Sequence, residues 1–350
     1  MPTDSLSPHE RFLTDRSQRF GDDYCFLCGK HIPPGSAERT QEHVFPKWLL
    51  HEMDLWNSSV TQINGRPLRY RQLTVPCCAT CNSVDLSGVE TRVRTAVAEG
   101  LNAFAALDPL DLFLWLGKIY YGLVYRESLQ PLDLRSPDGP RLVPHEHLAS
   151  IEFHHFLLQA AAGLVTWAPS SRNPATFHIF ECLDSAIPQQ RFDYLDELFV
   201  PVLGMRLGTI GVVAVLQDWG RSDGVQQPHL DMARTFALHP TQFREVFVRL
   251  AFMTTHSWKN LTHLVVSSDG IATVLAPSEV ALDGSYTPGD LAPKLAEAWG
   301  VPVHAIFDGK SGMSTIGGPA GATPVSMNTV FTAAFDGQGL WPFRGFPSTR

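Results

Sequence analysis

The stretches Cys25-Phe26-Leu27-Cys28-Gly29-Lys30 and Cys78-Ala79-Thr80-Cys81-Asn82 decide how the first part of the chain folds. A two-residue spacer lets both thiolates of a pair bend onto one ion, and two such pairs make a tetrahedral site closed to water. The sequence therefore predicts a structural Zn²⁺ bound by Cys25, Cys28, Cys78 and Cys81. Cys77 offers a different spacing to Cys81, but the two-residue spacer is the commoner one, so we interpret Cys77 as a bystander.

The same cysteines would form disulfides only in an oxidising compartment. The residues from Met1 onward contain no basic stretch followed by an apolar run, so we expect no secretory signal and a cytoplasmic protein whose thiols bind metal. The longest apolar runs, 110–125 and 199–217, contain charged residues and glycine. Such runs are more typical of a protein core than of a membrane span, and we expect no membrane partner.

Composition limits the classes of protein to which the chain can belong. With 350 residues, 44% of them hydrophobic and 18% charged, the chain can build about two domains and is not intrinsically disordered. Its net charge of −8 argues against a protein that coats nucleic acid by bulk charge. Residues 1–100 contain 11 Lys and Arg against 12 Asp and Glu, so most of the acidity lies beyond residue 100.

Between the cysteine pairs lies Glu42-His43-Val44-Phe45-Pro46. An acidic residue beside a histidine, framed by CxxC and CxxCN, resembles the HNH endonuclease family over roughly residues 20–100. The resemblance implies a ββα-metal fold, in which a hairpin and a helix carry the site and zinc staples them together. By position in the motif, His43 matches the catalytic histidine, Glu42 the acidic residue before it, and Asn82 the final letter.

The chemistry of phosphodiester cleavage explains these residue types. A neutral imidazole can take a proton from water near pH 7, so we assign His43 as the general base. Mg²⁺ or Mn²⁺ prefers oxygen ligands, which Glu42 and Asn82 would provide. The residue three positions after Asn82, where the family often has Lys, is Asp85. Asp85 is either a further cation ligand or the sign of a lost phosphate contact.

Each assignment has a simpler alternative. Asn82 could cap the next helix, and Asp85 and Glu90 could be charges on that helix's surface. The middle Asn of the family is missing, because between Tyr70 and Pro76 only Gln72 or Thr74 could replace it. Four basic residues could contact phosphates or could simply be solvated: Lys47, Arg66, Arg69 and Arg71.

The rest of the chain predicts a mixed architecture. Val84, Val89, Val93 and Val97 recur at helical spacing, and Asp108-Pro109 begins a second helix that is apolar on all sides. Strand patterns follow from residue 175 and include a hairpin at 261–275. We therefore predict an α+β protein with a zinc-stapled ββα-metal domain at residues 1–105. A larger α+β accessory domain at 106–350, without catalytic residues of its own, would serve recognition, regulation or oligomerisation.

Three functions remain open on the sequence. The first is a metal-dependent endonuclease that cleaves DNA, as a restriction or phage-defence effector. Its partners would be a second copy of the chain, or an activating ligand or protein bound by residues 106–350. The second is a zinc-binding module without catalysis that binds nucleic acid or protein. The third is a nuclease toxin with an immunity partner.

Overall fold

The computed structural model describes residues 19–62, 64–168, 173–197, 200–224, 228–257, 264–269, 271–275, 288–300, 302–305 and 316. These residues form an α+β protein, as the sequence predicts. Within this part of the chain, no helix has the length and apolar composition needed to cross a bilayer. The end of the predicted accessory domain beyond residue 305, except Ile316, lies outside the described residues.

Residues 19–105, called here the four-cysteine unit, are organised around one short antiparallel pair of strands. Strand β1 pairs with β4, with His43 opposite Thr74 and Arg39 opposite Cys78. A helix and a small hairpin connect the two strands, and two helices follow them. In chain order the elements are β1 (Arg39–His43), α1 (Lys47–Glu52), β2 (Ser59–Thr61), β3 (Pro67–Arg69), β4 (Thr74–Cys78), α2 (Ser87–Glu99) and α3 (Leu101–Ala105).

The predicted helix after Asn82 does form, but its first turn differs from the expectation. Residues Cys81–Asp85 form a π-helical turn before α2 begins. Because such a turn closes with one extra residue, the apolar positions before and after it do not share a face. Val89 and Val93 are buried as predicted, whereas Val84 is 68% exposed and its predicted place on the buried face is wrong.

Helix α4 (Pro109–Ser128) is the central helix of the molecule. The Asp108 carboxylate accepts a hydrogen bond from the Leu110 amide at 2.8 Å, and Pro109 occupies the first turn, as the sequence predicts. Nearly every residue from Asp111 to Ser128 is buried. After α4 come α5 (His145–Ser150), α6 (Glu152–Leu157) and a 3₁₀ turn, Leu158–Ala162.

A four-stranded antiparallel sheet divides the interior into two cores. Its strands, in spatial order, are β6 (Ala175–Glu181), β9 (Ile210–Leu216), β8 (Val202–Leu207) and β7 (Phe192–Glu197). Successive side chains of a strand point to opposite faces. Leu203 and Met205 accordingly join the core that contains the four-cysteine unit and α4, whereas Val202 joins the opposite core. The opposite face carries α7 (Pro228–Ala233), α8 (Pro240–Ser257) and α9 (Pro288–Trp299).

A second, smaller sheet contains the predicted hairpin. Strand β10 (Leu264–Ser268) pairs antiparallel with β11 (Ile271–Leu275), which runs parallel to β5 (Val165–Trp167). The predicted pairing is therefore confirmed for these two strands, whereas residues 261–263 and Gly270 of the predicted hairpin lie outside the described residues.

Close packing of α8 on the four-stranded sheet predicts a destabilising substitution. A Cβ atom at Gly204 would lie 2.9 Å from Cδ2 of Phe247, a distance that forces one of them to move. We expect Gly204→Ala to lower the free energy of unfolding by about 1–3 kcal/mol in urea denaturation. The control Gly88→Ala lies on α2 and meets only the flexible end of Arg92, so it should be neutral or mildly stabilising. Equal effects of the two variants would contradict this packing.

A buried polar network fastens the loop after β9 to β6. The Ser222 hydroxyl donates to the Asp218 carboxylate at 2.7 Å and lies 3.1 Å from Nε2 of His178. A guanidinium nitrogen of Arg234 donates to Nδ1 of His178 at 3.1 Å, so this ring is neutral and carries its proton on Nε2. Burial, assisted by the Arg234 charge, lowers the pKa of His178 from 6.5 to about 4.

The lowered pKa of His178 predicts a loss of stability in acid. Above pH 6.5 the ring is neutral in both the folded and the unfolded chain, and its full contribution is present. As the pH falls from 6.5 to about 4, the unfolded chain binds a proton at His178 and the folded chain does not. The free energy of unfolding therefore falls by about 3 kcal/mol. Urea denaturation at several pH values should show this decline, and His178→Gln should flatten it. Parallel curves for the two proteins would argue against it.

Candidate metal centre and active site

The first cysteine pair lies in a tight turn whose geometry depends on glycine. The Gly29 amide donates to the Cys25 carbonyl at 2.9 Å, and the Cys25 amide donates to the Lys30 carbonyl at 2.8 Å. Gly29 has φ +69°, a conformation that side chains with a Cβ rarely adopt. The turn therefore brings the Cys28 thiol back beside that of Cys25.

The four predicted zinc ligands converge. The thiol sulfurs of Cys25, Cys28, Cys78 and Cys81 all lie within 4.8 Å of one another. The sulfurs of Cys28 and Cys78 are 3.8 Å apart, the edge of a tetrahedron of about 3.8 Å that follows from Zn–S bonds of about 2.3 Å. The thiols of Cys28 and the other nearby cysteines stabilise the Cys25 thiolate and lower its pKa. The cluster could therefore bind zinc.

Groups from the predicted accessory domain support the first cysteine pair. The Leu27 carbonyl accepts hydrogen bonds from Nε2 of His155 and, at 2.6 Å, from the amide of Gln159. The Tyr125 hydroxyl donates to the Gly21 carbonyl at 2.9 Å. His155 and Gln159 are both buried. Helices from beyond residue 105 thus hold the loop that carries two of the four thiols.

We expect about one tightly bound zinc per chain in the purified protein. Cys25→Ser and Cys81→Ser should each remove most of it, since three thiolates leave the tetrahedron open. Cys77→Ser is the matched control. The Cys77 sulfur lies 3.9 Å from that of Cys25 and the residue is fully buried, but Cys77 is not one of the four converging cysteines. Elemental analysis after exhaustive dialysis measures the content. Loss of zinc from the Cys77 variant alone would show that the ligand set is wrong.

Glu42, the predicted acidic ligand, is buried and ion-paired. Its carboxylate Oε1 accepts a hydrogen bond from the Lys118 ammonium, and the Glu42 residue is only 7% exposed. Burial disfavours the Lys118 ammonium, but its carboxylate partners outweigh this effect and raise its pKa above the ordinary value. Glu42 therefore has one oxygen engaged with a lysine that the sequence motif does not include.

Asn82 lies against β1, on the same face as Glu42. Its Nδ2 donates to the Thr40 hydroxyl at 3.0 Å and to the Gln41 carbonyl at 3.4 Å. Thr40 and Glu42 are two residues apart on the strand, so their side chains point the same way. Within the described part of the chain, Oδ1 of Asn82 accepts no hydrogen bond, and the simpler role as a helix cap is not seen.

His43 is the last residue of β1, and its side chain points away from that of Glu42. Its ring stacks on Trp56, with centroids 5.8 Å apart and planes at 22°. Neither ring nitrogen has a hydrogen-bond partner among the described residues. Partial burial, followed by the charges of Lys47 and Lys118, lowers the pKa of His43 below 6.5. This shift favours the neutral form of the ring, which can accept a proton.

The remaining predicted residues lie in three different settings. Asp85 lies beside the Cys81 thiol; its pKa is raised by partial burial, which the thiol opposes. Lys47, Arg66 and Arg69 are exposed, as phosphate contacts must be. Arg71, in contrast, donates to the Asn57 side chain.

Sequence reasoning missed Lys118 and the role of Glu90. Lys118 interrupts an apolar run that is expected to be buried. Because a buried ammonium must be paired, its presence there is a signal that a carboxylate partner exists. Glu90, considered a surface charge, accepts a hydrogen bond from Lys118 at 2.7 Å. No local pattern could show that this partner lies on α2.

Comparisons of the chain with protein-family models, with curated proteins and with solved structures found no match. The geometry of the site is therefore what any assignment of function must rest on.

Proposed function

We propose that the four-cysteine unit is an HNH-type, metal-dependent endonuclease that hydrolyses phosphodiester bonds of DNA. The observation that carries the proposal is the setting of His43: a partly exposed imidazole that stacks on Trp56 and whose two ring nitrogens have no hydrogen-bond partner among the described residues. A structural histidine in a protein interior ordinarily spends its ring nitrogens on protein partners, as His155 and His178 do here. The ring nitrogens of His43 are available to a ligand.

In the proposed reaction, His43 accepts the proton of the attacking water at a ring nitrogen. Trp56 fixes the plane of the ring, so that the nitrogen lone pair keeps one direction. Mg²⁺ or Mn²⁺ would be held by Oδ1 of Asn82 and Oε2 of Glu42. These groups lie on the opposite face of β1 from the His43 ring, so the cation and the base would have to meet the phosphate around the end of the strand, where His43 is the last residue. The cation, when bound, neutralises charge on the scissile phosphate and on the departing oxygen.

Exposed cations beside the site would hold the DNA backbone. Lys47 is the first residue of α1, four residues after the end of β1, and Arg66 and Arg69 lie on the β2–β3 hairpin. Positive groups at these places can contact successive phosphates without reading bases. Since each chain would hold one such site, a homodimer is the simplest way to cut both strands. Residues 106–350 would then control when the enzyme acts, for example as a restriction or phage-defence effector.

One observation favours a second function. The Lys118 ammonium already neutralises Glu42, so the carboxylate could serve structure alone. A zinc-binding module without catalysis that binds nucleic acid or protein would need no more than this. A toxin with an immunity partner remains a prediction of the sequence.

Plasmid cleavage separates these functions. We expect the full-length protein to nick or linearise supercoiled DNA in Mg²⁺ or Mn²⁺, and EDTA to abolish cleavage. His43→Ala should lower the rate on the order of 100-fold or more, because the proton acceptor is lost. The matched control is His51→Ala, since His51 also stacks on Trp56 but is exposed and lies outside the motif.

Cleavage that survives in His43→Ala would refute the mechanism. Zinc-loaded protein that binds DNA but cleaves neither DNA nor RNA with either cation would support the binding module instead.

A further inference from the structure

Helix α4 places a buried ammonium, that of Lys118, against the four-cysteine unit. Lys118 is 1% exposed and lies in a buried, largely apolar stretch of α4 that includes Leu114 and Ile119. A buried ammonium costs several kcal/mol unless it is fully paired. The position is therefore explicable only through its acceptors.

Lys118 has three N–H donors and three oxygen acceptors. Nζ bonds to Oε1 of Glu42, to Oε1 of Glu90 at 2.7 Å and to the main-chain carbonyl of His43 at 3.1 Å. The two carboxylates belong to β1 and α2. One ammonium on α4 thus joins the last two residues of β1 to α2.

Packing brings α4 close enough for these bonds. Gly122 lies one turn after Lys118, on the same face of the helix. A Cβ atom there would come within 3.4 Å of the Val44 side chain, so the helix lies directly against the residue that follows His43. Residues 42–44 are consequently held by α4 at three successive positions.

We propose that Lys118 is a positioning residue for His43, supplied to the site by the helix that follows the four-cysteine unit. The inference rests on the proposed nuclease function. Lys118 is too deeply buried to touch substrate. By its bond to the His43 carbonyl it fixes the backbone that carries the general base, and by its bonds to Oε1 of Glu42 and Glu90 it fixes the orientation of both carboxylates.

An apolar side chain could fill the same space but could not hold three oxygens at once. Replacing a buried ion pair by apolar groups is often neutral for stability, so a purely structural role would not require charge here. A positioning role does require it, because the peptide of His43 and the carboxylates are oriented only by hydrogen bonds. This difference makes the two roles separable by experiment.

The main variant is Lys118→Met with Glu90→Gln in the full chain. It removes one positive and one negative charge, so the net charge of the cluster does not change and only Glu42 remains charged. We expect kcat for plasmid cleavage to fall on the order of 10- to 100-fold, with KM within about twofold and with zinc content retained. The matched control is Lys294→Met, whose ammonium pairs with Glu197 and Glu297 and is half exposed.

A second readout does not depend on cleavage. In protein labelled with ¹⁵N at histidine, the His43 ring signals, assigned with His43→Ala, should shift in the double variant and stay unchanged in Lys294→Met. His178, which has no contact with Lys118, serves as the internal reference. If the double variant does not fold, Glu90→Ala removes one of the three acceptors at a partly exposed site and should shift the His43 signals in the same direction by less.

Unchanged His43 signals in these variants would overturn the inference, as would wild-type kcat in a folded double variant of an active enzyme. Failure of the proposed function looks different. The wild-type protein would then cleave no nucleic acid, and Mn²⁺ would not broaden the His43 signals, while the shift caused by the variants would still decide whether Lys118 positions His43.

Discussion

The convergence of four thiols from segments fifty residues apart is the constraint on which the four-cysteine unit depends. Cys25 and Cys28 lie on a turn with little regular structure, and Cys78 and Cys81 lie where β4 passes into a π-helical turn. Buried thiols at these distances gain little from one another, whereas binding of one Zn²⁺ to a site that the unfolded chain lacks becomes folding free energy. A zinc ion bound there would also set the position of β1, because β1 pairs with the strand that ends at Cys78.

The second constraint is that the four-cysteine unit does not supply its own core. Phe45, two residues after His43, packs edge-on against Phe192 and Tyr194 of β7 with centroids 5.8 and 5.1 Å apart. Its neighbours on α4 and on one face of the four-stranded sheet belong to the same cluster of buried residues. The predicted boundary at residues 105 and 106 stays a prediction, but in this structure the helix after it completes the interior of the part before it.

The sequence predicted the parts of the site that local spacing encodes. Two CxxC pairs imply convergence on one ion, whatever path the chain takes between them. Asp108-Pro109 marks the start of α4, because a helix cap is formed by residues next to one another in the sequence. It could not predict that Lys118 meets Glu42 and Glu90, because their meeting depends on how α4 crosses β1. The burial of Val84 was wrong for another reason: helical periodicity assumes 3.6 residues per turn, and a π-helical turn changes that phase.

Glu42 and His43 have different surroundings because they are neighbours on one strand. Alternation sends Glu42 inward, where only an ion pair can make a carboxylate tolerable, and sends His43 outward, where it meets Trp56 and solvent. The inward residue and its lysine tie the end of the strand to α2 and α4. The ring nitrogens of the outward residue have no hydrogen-bond partner among the described residues. A group that must accept a proton from a ligand benefits from such an arrangement, because its position is fixed through its backbone while its ring remains available.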